Sequence, residues 1–194
     1  MLPSFVLLPL LFGSAHAAPG TRPMPTAPTL PGQRVTRVYS TIPRLDLSAY
    51  AGLATEVVHA YVADTSRRTS GPGIERTVID LEVLLALKGD VSRAPRSFVI
   101  DGVDEPGSRT VLAGAPRFTI GDELVLFLWT DATGTTGLLG LGGGAYRVAP
   151  GADRRAKVSG LHAAELDLDL FLGRVVDAWA EFEARPRARA EGGR

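Results

Sequence analysis

A chain of 194 residues, 45% hydrophobic and 22% charged, carries enough apolar material for one ordinary globular domain with extensions, and too much for disorder throughout. Its 21 basic and 21 acidic residues cancel to a formal charge of zero, so no global field draws nucleic acid or an anionic membrane. There is no cysteine, which excludes disulfides, thiol nucleophiles, cysteine-held zinc and lipid attachment at a lipobox.

Residues 1–17, MLPSFVLLPLLFGSAHA, have no charged side chain, an apolar stretch over 5–12, and Ala15-His16-Ala17 in the small-x-small cleavage pattern. This predicts a signal peptide cut after Ala17, with only the α-amino group supplying the usual positive charge. The apolar stretch is far shorter than the roughly 20 residues a membrane-spanning helix needs, so no transmembrane segment is expected after cleavage. Residues 18–34 hold Pro19, Pro23, Pro25, Pro28 and Pro31 with almost nothing to bury, the composition of an extended Pro-rich linker. A single folded domain is then expected over residues 35–184.

Within that domain, Leu47, Tyr50, Ala51 and Ala54 stand at helical spacing and predict a short N-terminal helix. In residues 55–64, Val58, Ala60 and Val62 alternate with His59 and Tyr61, the period of a strand. The polar stretch TSRRTSGPGIE at 65–75 reads as an exposed hairpin connection. In the next strand Ile79, Leu81, Val83, Leu85 and Leu87 share one face, while Val78, Asp80, Glu82, Leu84, Ala86 and Lys88 share the other. A strand this long has to coil, as strands of a barrel do. SFVID comes next and is expected to end at an Asp101-Gly102 turn, leaving 101–117 as the longest irregular segment.

Residues 124–129, LVLFLW, are apolar on both faces after a Gly-Asp-Glu turn. As a strand they must be covered by protein on both sides. The cover expected is an amphipathic C-terminal helix over 166–184, with Leu168, Phe171, Leu172, Val175, Trp179 and Phe182 on one stripe. Asp167 stands at its N-cap position, and Leu166 and Phe171 at those of a hydrophobic staple. Before it, DATGTTGLLGLGGG reads as a glycine-rich connection, and AYRVAPGADRRAKVSG as a hairpin turning at Pro150-Gly151. Residues 185–194 have a local charge of +3, a Pro186 helix stop and no apolar residue larger than alanine, so a flexible basic tail is expected.

Residues able to carry chemistry are few. GLLGLGGG leads into a strand pattern, whereas a dinucleotide fingerprint needs a helix whose N-terminus faces the phosphates, so a turn is the better reading. His59 and His162 do not form a zinc motif, and His59 reads as a partly buried strand residue. Asp101, Asp104 and Glu105, or Glu165, Asp167 and Asp169, offer oxygen ligands but match no EF-hand; solvated turns and helix caps explain them without a metal. Arg67 and Arg68, with Arg154 and Arg155, lack the interleaved aromatics that stack on single-stranded bases. No catalytic residue, cofactor or metal site is assigned on these grounds.

In order, VVHAYV, TVIDLEVLLALKG, RSFVID, FTIGDELVLFL and GAYRVA resemble a group of uncharacterised bacterial exported domains marked by a Leu-Lys-Gly strand end and a later Gly-Asp/Glu-Glu turn into an apolar strand. The resemblance covers residues 50–150. The same order is distantly similar to the OB-type barrel of netrin-like domains and tissue inhibitors of metalloproteinases. It implies a mainly β fold: an OB-like barrel with a short N-terminal helix and a C-terminal amphipathic helix packed on it. Those inhibitors hold the protease zinc through an N-terminal cysteine, which is absent here, so that mechanism does not carry over. The expectation is an exported, periplasmic or extracellular, non-enzymatic domain that binds a protein or glycan and no nucleic acid. Its candidate binding-loop residues are Arg67, Arg68, Asp101, Asp104, Glu105 and Arg109. Two alternatives stay open: a secreted hydrolase whose carboxylates, among Asp101, Asp104, Glu105, Asp153 and Glu165, converge only in the fold, and a structural envelope component.

Overall fold

The computed structural model describes residues 34–38, 45–70, 74–90, 96–105, 108–112 and 114–185. The expected signal peptide, the Pro-rich linker up to residue 33, and the tail beyond Arg185 lie outside the described residues. The elements are β1 (Arg34–Val38), α1 (Leu47–Leu53), β2 (Glu56–Ser70), β3 (Ile74–Lys88), β4 (Arg96–Glu105), β5 (Ser108–Leu112) and β6 (Glu123–Thr130). They continue with β7 (Thr136–Leu138), a 3₁₀ turn at Leu141–Gly144, β8 (Ala145–Pro150), β9 (Ala156–Gly160), β10 (Ala163–Asp167) and α2 (Leu168–Ala184). Arg34, expected at the end of the linker, is the first residue of a strand.

Five strands close into a barrel. β2 pairs antiparallel with β3 and with β6, and β3 pairs antiparallel with β4. β7 completes the ring, antiparallel to β6 and parallel to β4. Taken by chain order, the ring runs first, second, third, fifth, fourth and back to first, an OB-like arrangement. Its interior is filled by Val58, Ala60 and Val62 from β2, Ile79 and Leu81 from β3, Phe98 from β4, and Leu124, Leu126 and Leu128 from β6.

The alternate residues of β6 serve a second core. Val125 and Phe127 point away from the barrel interior and pack with Tyr50 and Ala51 of α1, Tyr146 of β8, and Phe171, Val175 and Ala178 of α2. Aromatic contacts link these elements: ring centroids are 5.8 Å apart for Tyr50–Phe127, 5.6 Å for Phe127–Tyr146 and 4.7 Å for Tyr146–Phe171. Edge-on and tilted pairs at such distances add to the burial energy of each ring. The double burial of residues 124–128 is therefore real, with one adjustment. α1 is the helix lying on β6, and α2 packs on α1, β9 and β10, reaching the strand through Tyr146. The sheet causes this by forking at β6. Residues 128–130 pair with β7 and close the barrel, while residues 123–126 pair with β8, which leads to β9 and β10 and carries α2 outward.

α1 forms where the spacing placed it, and the Asp46 side chain caps it by accepting from the Ala49 N–H at 2.7 Å. α2 buries the expected stripe, but its N-cap differs. Asp167 makes no side-chain cap bond and is drawn instead to Lys157 and Arg155, because residues 163–167 form β10 rather than a helix entry.

Four further expectations are corrected. The 65–75 stretch is strand up to Ser70 and again from Ile74, so the hairpin arms project past the barrel. Alternation on β3 fails after Val83, because Leu84 and Leu87 are bulged against β2. Each bulge flips the face of the residues after it, so Leu84 and Leu85 are exposed while Ala86 packs inward. Asp101-Gly102 is no turn: Gly102 takes φ 109° within β4, at the point where that strand exchanges β3 for β5 as its partner. The segment beyond it contains β5, which also pairs parallel with β1. Finally, the glycine-rich connection hides β7, too short to show a period, and the 3₁₀ turn. A Cβ on Gly140 or Gly143 would overlap the buried Tyr50 ring or hydroxyl, so those glycines serve packing.

Candidate functional site

Among the described residues, no helix covers the outer face of the barrel wall opposite α1 and α2. Because Phe98 and Ile79 point inward, Val99 and Val78 point out; because Leu128 points inward, Trp129 points out. The registers then line up one row across five strands. Trp129 of β6 pairs with Gly137 of β7, Gly137 with Val99 of β4, Val99 with Val78 of β3, and Val78 with Ser66 of β2. Trp129 is 48% exposed, unusual for a tryptophan in a barrel strand. A Cβ on Gly137 would meet only the Val99 carbonyl, at 3.7 Å, so the floor between Trp129 and Val99 is open. By parity Trp129 shares a face with Val125 and Phe127 and was expected to be covered, but α1 ends at Leu53 and Trp129 is exposed.

Polar groups border the row on one side. Arg76, opposite Arg68 on β2 and Asp101 on β4, donates from Nε to Asp101 Oδ1 at 2.9 Å. In the β6–β7 connection, Asp131 Oδ1 accepts from Thr133 Oγ1 at 2.6 Å, Thr133 N at 2.8 Å and Thr135 N at 2.9 Å. The Thr133 hydroxyl first, then the Thr135 N–H, with a smaller contribution from Arg76, hold the Asp131 carboxyl below its ordinary range. Arg76 thus stands within electrostatic reach of both carboxylates. On the other side Asp64 and Asp80 face each other across β2 and β3.

Of the residues singled out from sequence, Arg68 and Asp101 lie on this face. Arg67 follows the opposite face of β2 and pairs with Glu75 beyond the barrel mouth. Asp104 is in register with Arg109, and Glu105 with Ser108, in the β4–β5 hairpin; their side chains lie outside the described residues. The carboxylates weighed for a hydrolase are dispersed: Asp101 pairs with Arg76 on β3, Asp153 with Lys157 beside the β8–β9 turn, and Glu165 is an exposed bulge residue of β10. Trp129, Val78, Val99, Arg76 and Asp131 were not selected from sequence. An aromatic ending an otherwise interior strand, beside a threonine-rich turn, was the available signal.

A second polar cluster sits on the helix side. His59 Nε2 lies 2.8 Å from Glu123 Oε1, and the Tyr61 hydroxyl donates to Glu123 Oε2 at 3.1 Å. The carboxylate pushes the Tyr61 phenol up, through the hydrogen bond first and its charge second. His59 is 8% exposed, so it is the buried strand residue expected. Among the described residues no serine or threonine hydroxyl bonds to this cluster, which joins β2 to β6. Arg96, also buried, is held by Glu56. Among the described residues no group of three or more His, Asp or Glu is arranged to hold a metal. A shallow surface crevice without room for a water molecule lies where Leu87 and Lys88 meet Val175, Val176 and Trp179. Lys88 fills its polar end by donating to the Ala51 and Gly52 carbonyls at the end of α1, at 2.9 and 2.8 Å.

No protein-family model matches the chain, and no curated protein matches it significantly. Its function is therefore argued from the site itself.

Proposed function

We propose that this chain is an exported, non-enzymatic binding domain of the bacterial cell envelope or extracellular space, holding a protein or glycan on the outer face of β3, β4 and β7. One observation carries the reading. The row Trp129, Gly137, Val99, Val78 is an apolar strip on a closed sheet, half-buried apart from the exposed Trp129, and among the described residues neither helix roofs it as two helices roof the other outer face. Exposed aromatics with small and aliphatic neighbours, bordered by fixed polar groups, are the composition of a recognition surface. Export rests on the 1–17 leader, and the class of activity agrees with the resemblance to netrin-like domains.

The test compares capture of envelope material by the wild-type protein and by Val78→Glu, which puts a charge in the middle of the strip at a half-buried, outward-pointing strand position. Capture by the wild type that falls at least tenfold in the variant, with an unchanged melting temperature, supports the reading. Equal capture by both refutes this face.

A further inference from the structure

We infer that the ligand of this face is a glycan chain, one of whose pyranose rings stacks on Trp129 over the Gly137 floor. The inference rests on the binding reading above and narrows it to one ligand class.

Three features select a glycan over a polypeptide. First, a peptide that binds by strand addition needs a free sheet edge, and this face offers none: β7 is paired on one side with β4 and on the other with β6. A ligand at this face must use side chains and ring faces. Second, the trough between the Trp129 and Val99 strands is two inter-strand spacings wide, about 10 Å, and floored by a residue without a side chain. A flat ring can lie in it. The C–H face of a pyranose is apolar and weakly positive, and it complements the negative face of the exposed indole. Third, the polar border is built of preset groups that suit hydroxyls. All three hydrogen bonds received by Asp131 end on Oδ1, which leaves Oδ2 as an acceptor; Arg76 supplies donors while its charge is offset by Asp101. A border so balanced attracts no polyanion over distance, which sets a nucleic acid apart from a glycan although both stack on aromatics.

Trp129 and Trp179 are the only tryptophans, so Trp179→Phe makes fluorescence report on the face alone. That protein is titrated with chitohexaose and with muramidase-released peptidoglycan fragments, and in parallel against an array of immobilised peptides. A saturable emission shift with any of the oligosaccharides supports the inference, provided that binding weakens at least tenfold in Trp129→Ala and returns to within about threefold in Trp129→Tyr, read by calorimetry. Peptide binding lost in Val78→Glu, without oligosaccharide binding, overturns the glycan and leaves the binding face standing. Binding to neither, or sugar binding that Trp129→Ala leaves intact, overturns the inference; if Val78→Glu also captures envelope material as the wild type does, the binding reading fails with it.

Discussion

The barrel presents two outer faces built from the same kind of strand, and they have opposite fates. Over β6 and β8 the outward residues are Val125, Phe127 and Tyr146, all fully buried beneath α1 and α2. Over β3, β4, β7 and the end of β6 the row is Val78, Val99, Gly137 and Trp129, with neither α1 nor α2 above it. The interior of the ring is satisfied alike on both sides, so the roof is not needed to close the barrel. Its role is to cover a sheet that continues past the ring into β8, β9 and β10 and would otherwise leave the Phe127 and Tyr146 rings wet. Among the described residues the other face has one large ring, Trp129, and leaves it half exposed.

The difference can be broken from the covered side first. Phe171→Ala removes a fully buried ring at the meeting of α2 and Tyr146 and is expected to cost about 3–5 kcal/mol, read by urea unfolding. Gly143→Ala forces a methyl against the Tyr50 hydroxyl and is expected to cost about 1–3 kcal/mol by the same measurement. Glu123→Gln weakens the link between His59 and Tyr61 and should cost about 1 kcal/mol, less than either change above. On the bare side Trp129→Ala should stay within about 0.5 kcal/mol of the wild type, as exposed positions do.

A last contrast comes from acid. The Ala49 N–H, then the Ser48 hydroxyl, hold the Asp46 carboxyl below its ordinary value of 3.8, and hydrogen bonds from the Thr133 hydroxyl and Thr135 N–H do the same for Asp131. Carboxyls depressed in the folded state stabilise it above their ordinary value, and that contribution is lost as pH falls through 3.8 and below. Removing the Asp46 cap by Asp46→Ala should flatten the acid limb of the melting curve, with little change at pH 7 beyond the loss of the cap itself.

Much of this fold was legible in the residues alone. Period-2 alternation placed β2 and the first half of β3, because burial of one face leaves a mark on every second residue. The two-sided apolar run at 124–129 demanded two covers, and the fold supplies them for 124–128 while Trp129 stays exposed. β7 left no such mark. Three residues cannot show a period, and Gly137 has no side chain to register a face, yet this strand closes the ring. The bulges at Leu84 and Leu87 were hidden for a related reason: they change which face is buried without changing the letters. The site was least legible. Arg68 and Asp101 were singled out for charge in a turn and proved to be strand residues, while Trp129 was read by parity as interior. A residue's face is set by its own strand, but whether that face is covered depends on where a helix elsewhere happens to stop.

The asymmetry of the two faces is the central claim, and thermal unfolding of Phe171→Ala beside Trp129→Ala measures it directly. The expected result is a fall of about 6–20 °C for Phe171→Ala, from its cost and the usual slope for a chain of this size, with Trp129→Ala within about 2 °C of the wild type. Equal falls for the two variants would mean that Trp129 is part of the packing that holds the barrel, and the bare face would lose its claim to be a binding surface.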